Sequence, residues 1–335
     1  MTAKAPALER NRSIDIAKGI LILAVVVGHS GSCLTKYIFW FHMPAFFMIS
    51  GFLFKECESW EVAHASLIRK IKSYAVLYLS YFTVVTLLRL TYTEASNFSL
   101  SKTLLKLIVG GRFVGVELGT FWFITCLMFA IIIFTLVQTF IKRRAFQFLI
   151  LAGFYFLAHG EAFLQNHLKI TFYIPWNMDV SLLAVCYAAL GFYLRQWLLR
   201  VMAENHLRIM WLIMTLATAS LLIALDVHGI IDYRFDMKNL IYGSLGGDLF
   251  MPAVFTLFVL LLSALVKNIG LAVVLCWFGY YSIVIMFLHF AVLEIYRHYF
   301  QYNWIVFSII GPVVPLMFGV ICGKNRLTQK LFIKG

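Results

Sequence analysis

The chain has 335 residues, of which 62% are hydrophobic and only 13% charged, with a formal net charge of +13 and a mean hydropathy of +0.88. Soluble domains carry about 25% charged residues, so this composition excludes a soluble globular enzyme, a disordered tail protein and a secreted disulfide scaffold. The apolar residues run in continuous blocks of about twenty rather than alternating, which excludes a β-barrel and predicts an all-α polytopic membrane protein.

Taken along the chain, ten spans are predicted, at about 19–37, 38–54, 74–93, 121–141, 146–160, 176–197, 208–226, 249–267, 272–293 and 303–322, in a single domain covering 1–335. The second and fifth are short for a helix that needs about 20 residues to cross a bilayer, so they are expected to tilt little or to be buried by neighbours. The first span opens with Arg-Ser-Ile-Asp-Ile-Ala-Lys at 12–18, and His29 follows eleven residues after Lys18. On an ideal helix those eleven residues rise about 16 Å and end about 20° past three full turns, so Lys18 and His29 share a face, with Asp15 within about 40° of it. An imidazole at membrane depth is costly without a cavity or a partner, which makes His29 a functional candidate. A neutral histidine hydrogen-bonded to a neighbouring helix would read the same way. Lys18 taken alone is explained by snorkelling at a helix end.

The second span reads Trp-Phe-His-Met-Pro-Ala-Phe-Phe-Met-Ile-Ser-Gly-Phe-Leu-Phe at 40–54. His42 stands two residues before Pro44, which frees a backbone carbonyl and predicts a bend beside a cavity. Ser50-Gly51 predicts a close helix contact, and Pro252, Pro312 and Pro315 predict further kinks. The loop 55–73 begins acidic with Glu56, Glu58 and Glu61 and ends basic with Arg69, Lys70 and Lys72. Loop 94–120 carries Gly110, Gly111, Gly115, Glu117 and Gly119, and loop 227–248 carries Asp232, Tyr233, Arg234, Asp236, Lys238, Tyr242 and Asp248. Such mixtures of carboxylates and aromatics suit a sugar, with Glu117, Asp232 and Tyr233 as candidates, and they equally suit solvent. Trp122 and Trp176 flank apolar blocks, as an aromatic belt does.

With the N-terminus inside and each charge assigned to the nearer face, the inner segments are the N-terminal arm, 55–72, 142–144, 195–208, Lys267 and the tail from Lys324. They hold 19 Lys and Arg against 6 Asp and Glu, and the outer segments hold 9 against 9. That asymmetry predicts cytoplasmic termini at both ends and an even number of spans. The positive charge is therefore a topology signal, and no nucleic-acid partner is expected. Six scattered cysteines (Cys33, Cys57, Cys126, Cys186, Cys276, Cys322) with no C-x-x-C pair predict neither a disulfide framework nor a zinc site. No cleavable signal is expected, because the first apolar block is too long for one. The absence of an internal repeat, or of matching interrupted helices in two halves, weakens a transporter reading.

Several of these stretches carry a resemblance. Lys18-x10-His29 with Asp15 upstream, and the Phe-His-Met-Pro…Phe-Phe…Ser-Gly run at 41–51, are similar to the first two spans of the membrane-bound acyltransferase-3 superfamily, and within it to the fucose 4-O-acetylase-like branch. Arg69-Lys70-Ile71-Lys72 resembles the family's Arg-x-x-Arg before the third span, and Phe121-Trp122-Phe123 resembles its Trp-Phe at the fourth. Pro175-Trp176-Asn177-Met178-Asp179 leading to Gly191 resembles its sixth span, and Gly279-Tyr280-Tyr281-Ser282 with His289 resembles its ninth. The chain departs from the pattern with lysines for arginines at 18 and 72 and with Gly-Tyr-Tyr-Ser where a Ser-Leu pair is usual. Lysine keeps the charge but loses the bidentate fork for phosphate.

The resemblance implies an acyl-CoA-dependent O-acyltransferase of the bacterial inner membrane. It would move an acetyl group from cytosolic acetyl-CoA, its co-substrate, to a hydroxyl of a lipid-linked or exported glycan. In that reading His29 is the general base or a covalent acyl carrier, completed by Lys18 and Asp15. Arg69, Lys70 and Lys72 would hold the CoA phosphates, and His42, Trp122, Asp179, His289 and Glu117 would line the cavity or receive the acceptor. Neither a metal nor ATP is expected. Open beside it stand a glycan or lipid exporter, a structural partner in glycan assembly, and an acyltransferase using another donor such as succinyl-CoA.

Overall fold

The computed structural model describes residues 12–92, 99–115, 118–172 and 174–334. Among these it has fourteen α-helices of five residues or more and no strand, only an isolated bridge between Asp236 and Ile241. In chain order they are α1 (Arg12–Gly28), α2 (Thr35–Phe39), α3 (His42–Phe52), α4 (Trp60–Arg89), α5 (Leu100–Val109), α6 (Trp122–Phe140) and α7 (Arg144–His167). There follow α8 (Val180–Tyr193), α9 (Arg195–Ala203), α10 (Asn205–Val227), α11 (Gly247–Val266), α12 (Leu271–Tyr280), α13 (Ser282–Tyr299) and α14 (Trp304–Cys322). Six of these, α4, α6, α7, α10, α11 and α14, are long and apolar enough to cross a membrane. Two bent pairs, α8 with α9 at 53° and α12 with α13 at 78°, raise the number to eight if each pair is one crossing.

The first two expected spans have different bounds in the structure. Helix α1 stops at Gly28, the chain turns before α2, and α3 has only eleven residues. Ten of those eleven are buried, so protein rather than lipid surrounds α3 and the length needed to face hydrocarbon does not apply to it. The short fifth span is in fact the 24-residue α7. Pro44 falls in the first turn of α3, where its missing N–H has no helical partner to lose, so it starts a helix instead of bending one. Pro252 and the pair Pro312 and Pro315 lie inside α11 and α14, which run through them.

Side-chain caps set several helix starts: Ser59 accepts from the Val62 N–H at α4, and Asn303 accepts from the Ile305 and Val306 N–H groups at α14. Helices α7 and α10 keep apolar outer faces, with Leu149, Phe156 and Phe163 on one and Ile213, Leu216 and Leu221 on the other all exposed. Such faces suit a lipid environment and place these helices at the periphery. The interior is built where backbones touch. Helix α1 packs on α12 and α3 packs on α8, each through a pair of glycines. A Cβ on Gly19 would stand 2.1 Å from the Leu275 carbonyl oxygen, and one on Gly279 would stand 1.8 Å from that of Asp15. A Cβ on Gly51 or on Gly191 would likewise stand 1.8 Å from the carbonyl oxygen of Ala188 or of Met48. Small residues thus replace an apolar driving force that is absent in lipid, and the expected close contact at Ser50-Gly51 is present.

These crossings lead to a first prediction. Gly51→Ala puts a methyl group into a rigid backbone carbonyl, and overpacking of this kind is expected to cost about 1–3 kcal/mol. The detergent-solubilised variant should melt at a lower temperature than the parent. Gly153→Ala, where a Cβ meets nothing within 4 Å, should melt no lower. Equal melting of the two variants would show that the α3–α8 crossing yields at little cost.

Candidate active site

Three imidazoles meet at the end of α1. His29 is the first residue past Gly28, and its N–H still bonds to the carbonyls of Val25 and Val26, both at 3.1 Å. The chain then returns through α2 so that His42 opens α3, and His289 reaches the same point from α13. The His29 ring lies 5.4 Å from that of His289, nearly parallel, and 6.2 Å from that of His42, edge-on. Phe39 and Phe290 close on it at 5.4 and 4.7 Å. Nδ1 of His42 donates to the Ile38 carbonyl and Nδ1 of His289 to the Ile285 carbonyl, each at 2.8 Å. A carbonyl can only accept, so the proton sits on Nδ1 in both rings and a neutral ring presents a bare Nε2. Nε2 of His289 is buried with no hydrogen-bond partner among the described residues.

His29 and His42 line a cavity of about 170 Å³. Val25, Met43, Trp122, Met286 and Phe290 form apolar walls, while Gly119, Thr120 and the segment 236–239 close it from the loop side. That segment is held rigidly. Asp236 and Ile241 exchange two backbone hydrogen bonds of 2.8 and 3.0 Å, and Leu240 turns the chain at φ 57°. Asn177 Nδ2 and an Arg112 guanidinium nitrogen grip the Lys238 carbonyl at 3.2 and 3.5 Å. Gln165 and Asn166 hold the next two carbonyls, at 2.9 and 2.8 Å. The turn that presents Asn177 is itself unusual, with Trp176 and Asn177 at φ 60° and 54°. Gly110 and Gly111 make room for it, since a Cβ there would stand 2.3 Å from Trp176 and 2.6 Å from Asn177.

A second polar knot anchors the same loop. Asp248, fully buried, accepts from Tyr233 Oη at 2.7 Å and from the N–H groups of Gly243 and Ser244 at 3.0 and 3.2 Å. His159 Nε2 lies 2.9 Å from its other oxygen. Tyr233 therefore serves the loop and does not line the cavity, and Asp232 is an exposed partner of Lys36 and Arg234. Neither lines the histidine cavity.

The remaining sequence candidates separate. Trp122 lines the histidine cavity. Asp179 lies behind it, paired with Arg112 at 2.5 Å with both side chains buried. Asp15 lines a different pocket of about 380 Å³ towards the start of α1, with Arg12, Cys276, Trp277, Tyr280 and Tyr281. Gly279-Tyr280-Tyr281-Ser282 forms the break between α12 and α13 beside it. Lys18 is half-buried on α1, between the two pockets. Arg69 and Lys72 are exposed on α4, and the Lys70 ammonium lies 5.4 Å over the Phe54 ring. None of these three lines the histidine cavity. Glu117 lies outside the described residues. Among the described residues, no group of three His, Cys, Asp or Glu side chains is placed to hold a metal ion.

A family model described as an acyltransferase domain, that of the acyltransferase-3 family, matches residues 11–323. The protein belongs to the acyltransferase-3 family. No curated protein and no solved structure matches the chain. The match spans every element that builds the cavity, from α1 to α14, and the helices make it a multi-pass membrane acyltransferase.

In this acyltransferase the residues that sequence reasoning missed as site residues are Lys238, Asn177, Arg112 and Glu161. Glu161 approaches the Asp179 carboxylate from α7, and an acid inside an apolar stretch is a legible signal. Lys238 had none, since a lysine in an outer loop reads as solvated. Burial holds its ammonium below the usual lysine pKa, with Asp236 opposing that shift.

Proposed function

We propose that this acyltransferase moves an acetyl group from acetyl-CoA to a hydroxyl of a lipid-linked or exported glycan in the bacterial inner membrane, with His29 as general base. The fucose 4-O-acetylase-like branch is the one its motifs resemble. Beside the six long helices and the two bent pairs we take α1 and the protein-sheathed α3 as two further passes, ten in all with both termini cytoplasmic, which the excess of lysine and arginine on one face supports. The observation that carries the reading is the largely apolar cavity with His29 and His42 on its wall, at the end of α1 remote from Arg12 and Asp15.

The polyanionic CoA head belongs on the basic face, where Arg69, Lys70 and Lys72 supply charge-assisted contacts. Its arm runs along α1 past Asp15 and Lys18 and delivers the thioester to His29, about 16 Å beyond Lys18 at the helical rise. The acceptor hydroxyl enters between the loops 118–120 and 236–239. Its oxygen attacks the thioester carbonyl carbon as its proton passes to His29, and the carbonyl π electrons move onto oxygen. Collapse of the tetrahedral adduct breaks the C–S bond, and the proton on His29 goes to the leaving thiolate. His42 and His289 hold His29 in place and keep water out, and Asp179 keeps Arg112 under the cavity roof.

The test is acetyl content of surface and lipid-linked glycans in a deletion host with and without the gene, paired with label transfer from acetyl-CoA in membrane vesicles. Labelled glycan that depends on the gene is expected. Gene-dependent transfer from succinyl-CoA but not acetyl-CoA would replace the donor. Unchanged glycan acylation, with no transfer from either thioester, would refute the reading and return a glycan exporter to the front.

A further inference from the structure

The strongest unexplained feature of the cavity is a cation. Among the charged side chains that line it, Asp236 is committed to Asn239, accepting from its N–H at 3.3 Å and from its Nδ2 at 2.7 Å. Lys238 is not: no described residue accepts a hydrogen bond from its Nζ, its side chain is half-buried at the cavity wall, and its charge lies within Coulombic range of His29. Drawing an ammonium even partly out of water without an acceptor is unfavourable. The fold nevertheless holds this residue with four side chains, Asn177, Arg112, Gln165 and Asn166, on three successive carbonyls of its loop. A solvated surface lysine needs no such scaffold. Arg112, the cation that touches the Lys238 carbonyl, is already paired with Asp179, so Lys238 is the positive charge left over for whatever occupies the cavity.

We infer that Lys238 is a catalytic residue that donates to the thioester carbonyl oxygen, stabilising the oxyanion as the acceptor hydroxyl attacks. This rests on the acyl-transfer reading above. The cavity, at about 170 Å³, has room for one reacting centre, so the negative charge that arises beside Lys238 is the one that develops on that carbonyl. A fixed donor in an apolar site acts most strongly on charge that appears only in the transition state. The division of labour is then simple: His29 takes the proton and Lys238 takes the charge, from two elements 209 residues apart in the chain.

The experiment uses the full-length protein in detergent or nanodiscs, with acetyl-CoA and the glycan acceptor, for wild type, Lys238→Met, Lys238→Gln and Lys238→Arg. Size-exclusion profiles and acetyl-CoA binding are measured in parallel. Losing one such donor lowers kcat by about a hundredfold, so Lys238→Met and Lys238→Gln should fall by that factor with both KM values within about threefold of wild type. Lys238→Arg, which keeps a cation, should recover at least tenfold of the loss. A raised acceptor KM at unchanged kcat would overturn the inference by making Lys238 a ground-state contact to the acceptor. Wild-type kcat in the Met and Gln variants would overturn it as well, as would an Arg variant no better than Met. If Lys238→Met does not fold, the Gln and Arg pair decides alone. If wild type transfers no acetyl group, the acyl-transfer reading fails instead, and the two failures are distinct.

Discussion

His29→Gln is expected to lower kcat by about three orders of magnitude while leaving acetyl-CoA binding intact, the middle of the range that a positioned general base contributes. The reason is geometric. Of the three clustered imidazoles, His42 and His289 each tie Nδ1 to a carbonyl of their own helix. His29 makes no ring hydrogen bond among the described residues and lines the cavity directly. It stands just past the end of α1, so no following helical turn covers it. Glutamine keeps the size and the polarity but cannot take the proton. His42→Gln and His289→Gln should cost less, because their rings support His29 rather than replace it. Rates of label transfer from acetyl-CoA, with the size-exclusion profile as a folding control, check all three. A burst of CoA released without acceptor, lost in His29→Gln, would redirect the mechanism to an acyl-histidine. A His29→Gln variant within threefold of wild type would remove His29 from the chemistry altogether.

The helical membrane class and most span positions were legible because hydropathy alone reports them. Blocks at 121–141, 208–226, 249–267 and 303–322 became α6, α10, α11 and α14 with small shifts at their ends. What hydropathy could not report is that α3 is far shorter than a membrane helix, since a helix sheathed in protein and one sheathed in lipid are equally apolar. The meeting of His29 with His42 was half visible: each is an imidazole beside an apolar run, but only the turn between Gly28 and Thr35 brings them together. Asp179 shows the limit of motif reading. Its place in Pro-Trp-Asn-Met-Asp marked it for attention, yet its partner Arg112 lies 67 residues earlier in a glycine-rich loop, and no spacing rule links the two. Lys238 was invisible for the same reason, because the side chains that hold the carbonyls of its loop, Arg112, the neighbours Gln165 and Asn166, and Asn177, come from three other places in the chain.

Arg112→Met should destabilise the protein by about 3–5 kcal/mol, the cost of leaving a buried charge without its partner. The Arg112 and Asp179 side chains are 7% and 0% exposed and their atoms approach to 2.5 Å. Asp179 Oδ1 and Glu161 Oε1 are buried without a hydrogen-bond donor among the described residues. Without the guanidinium, two carboxyl groups face each other in an apolar shell, and neither α7 nor α8 offers a cation to replace it. The loss extends to the cavity, because Arg112 also holds the Lys238 carbonyl and the backbone of Phe172 at 3.4 Å. Melting temperature in detergent should drop well beyond the Gly51→Ala effect. Arg112→Met combined with Asp179→Leu should regain much of the stability, since removing both partners removes the stranded charge. The same double variant should stay impaired in transfer, because the Lys238 carbonyl has lost one of its two side-chain donors and keeps only Asn177. If instead the single and double variants melt alike, the pair is not what holds this end of the bundle, and the roof of the cavity must depend on Asn177 and the Asp248 anchor alone.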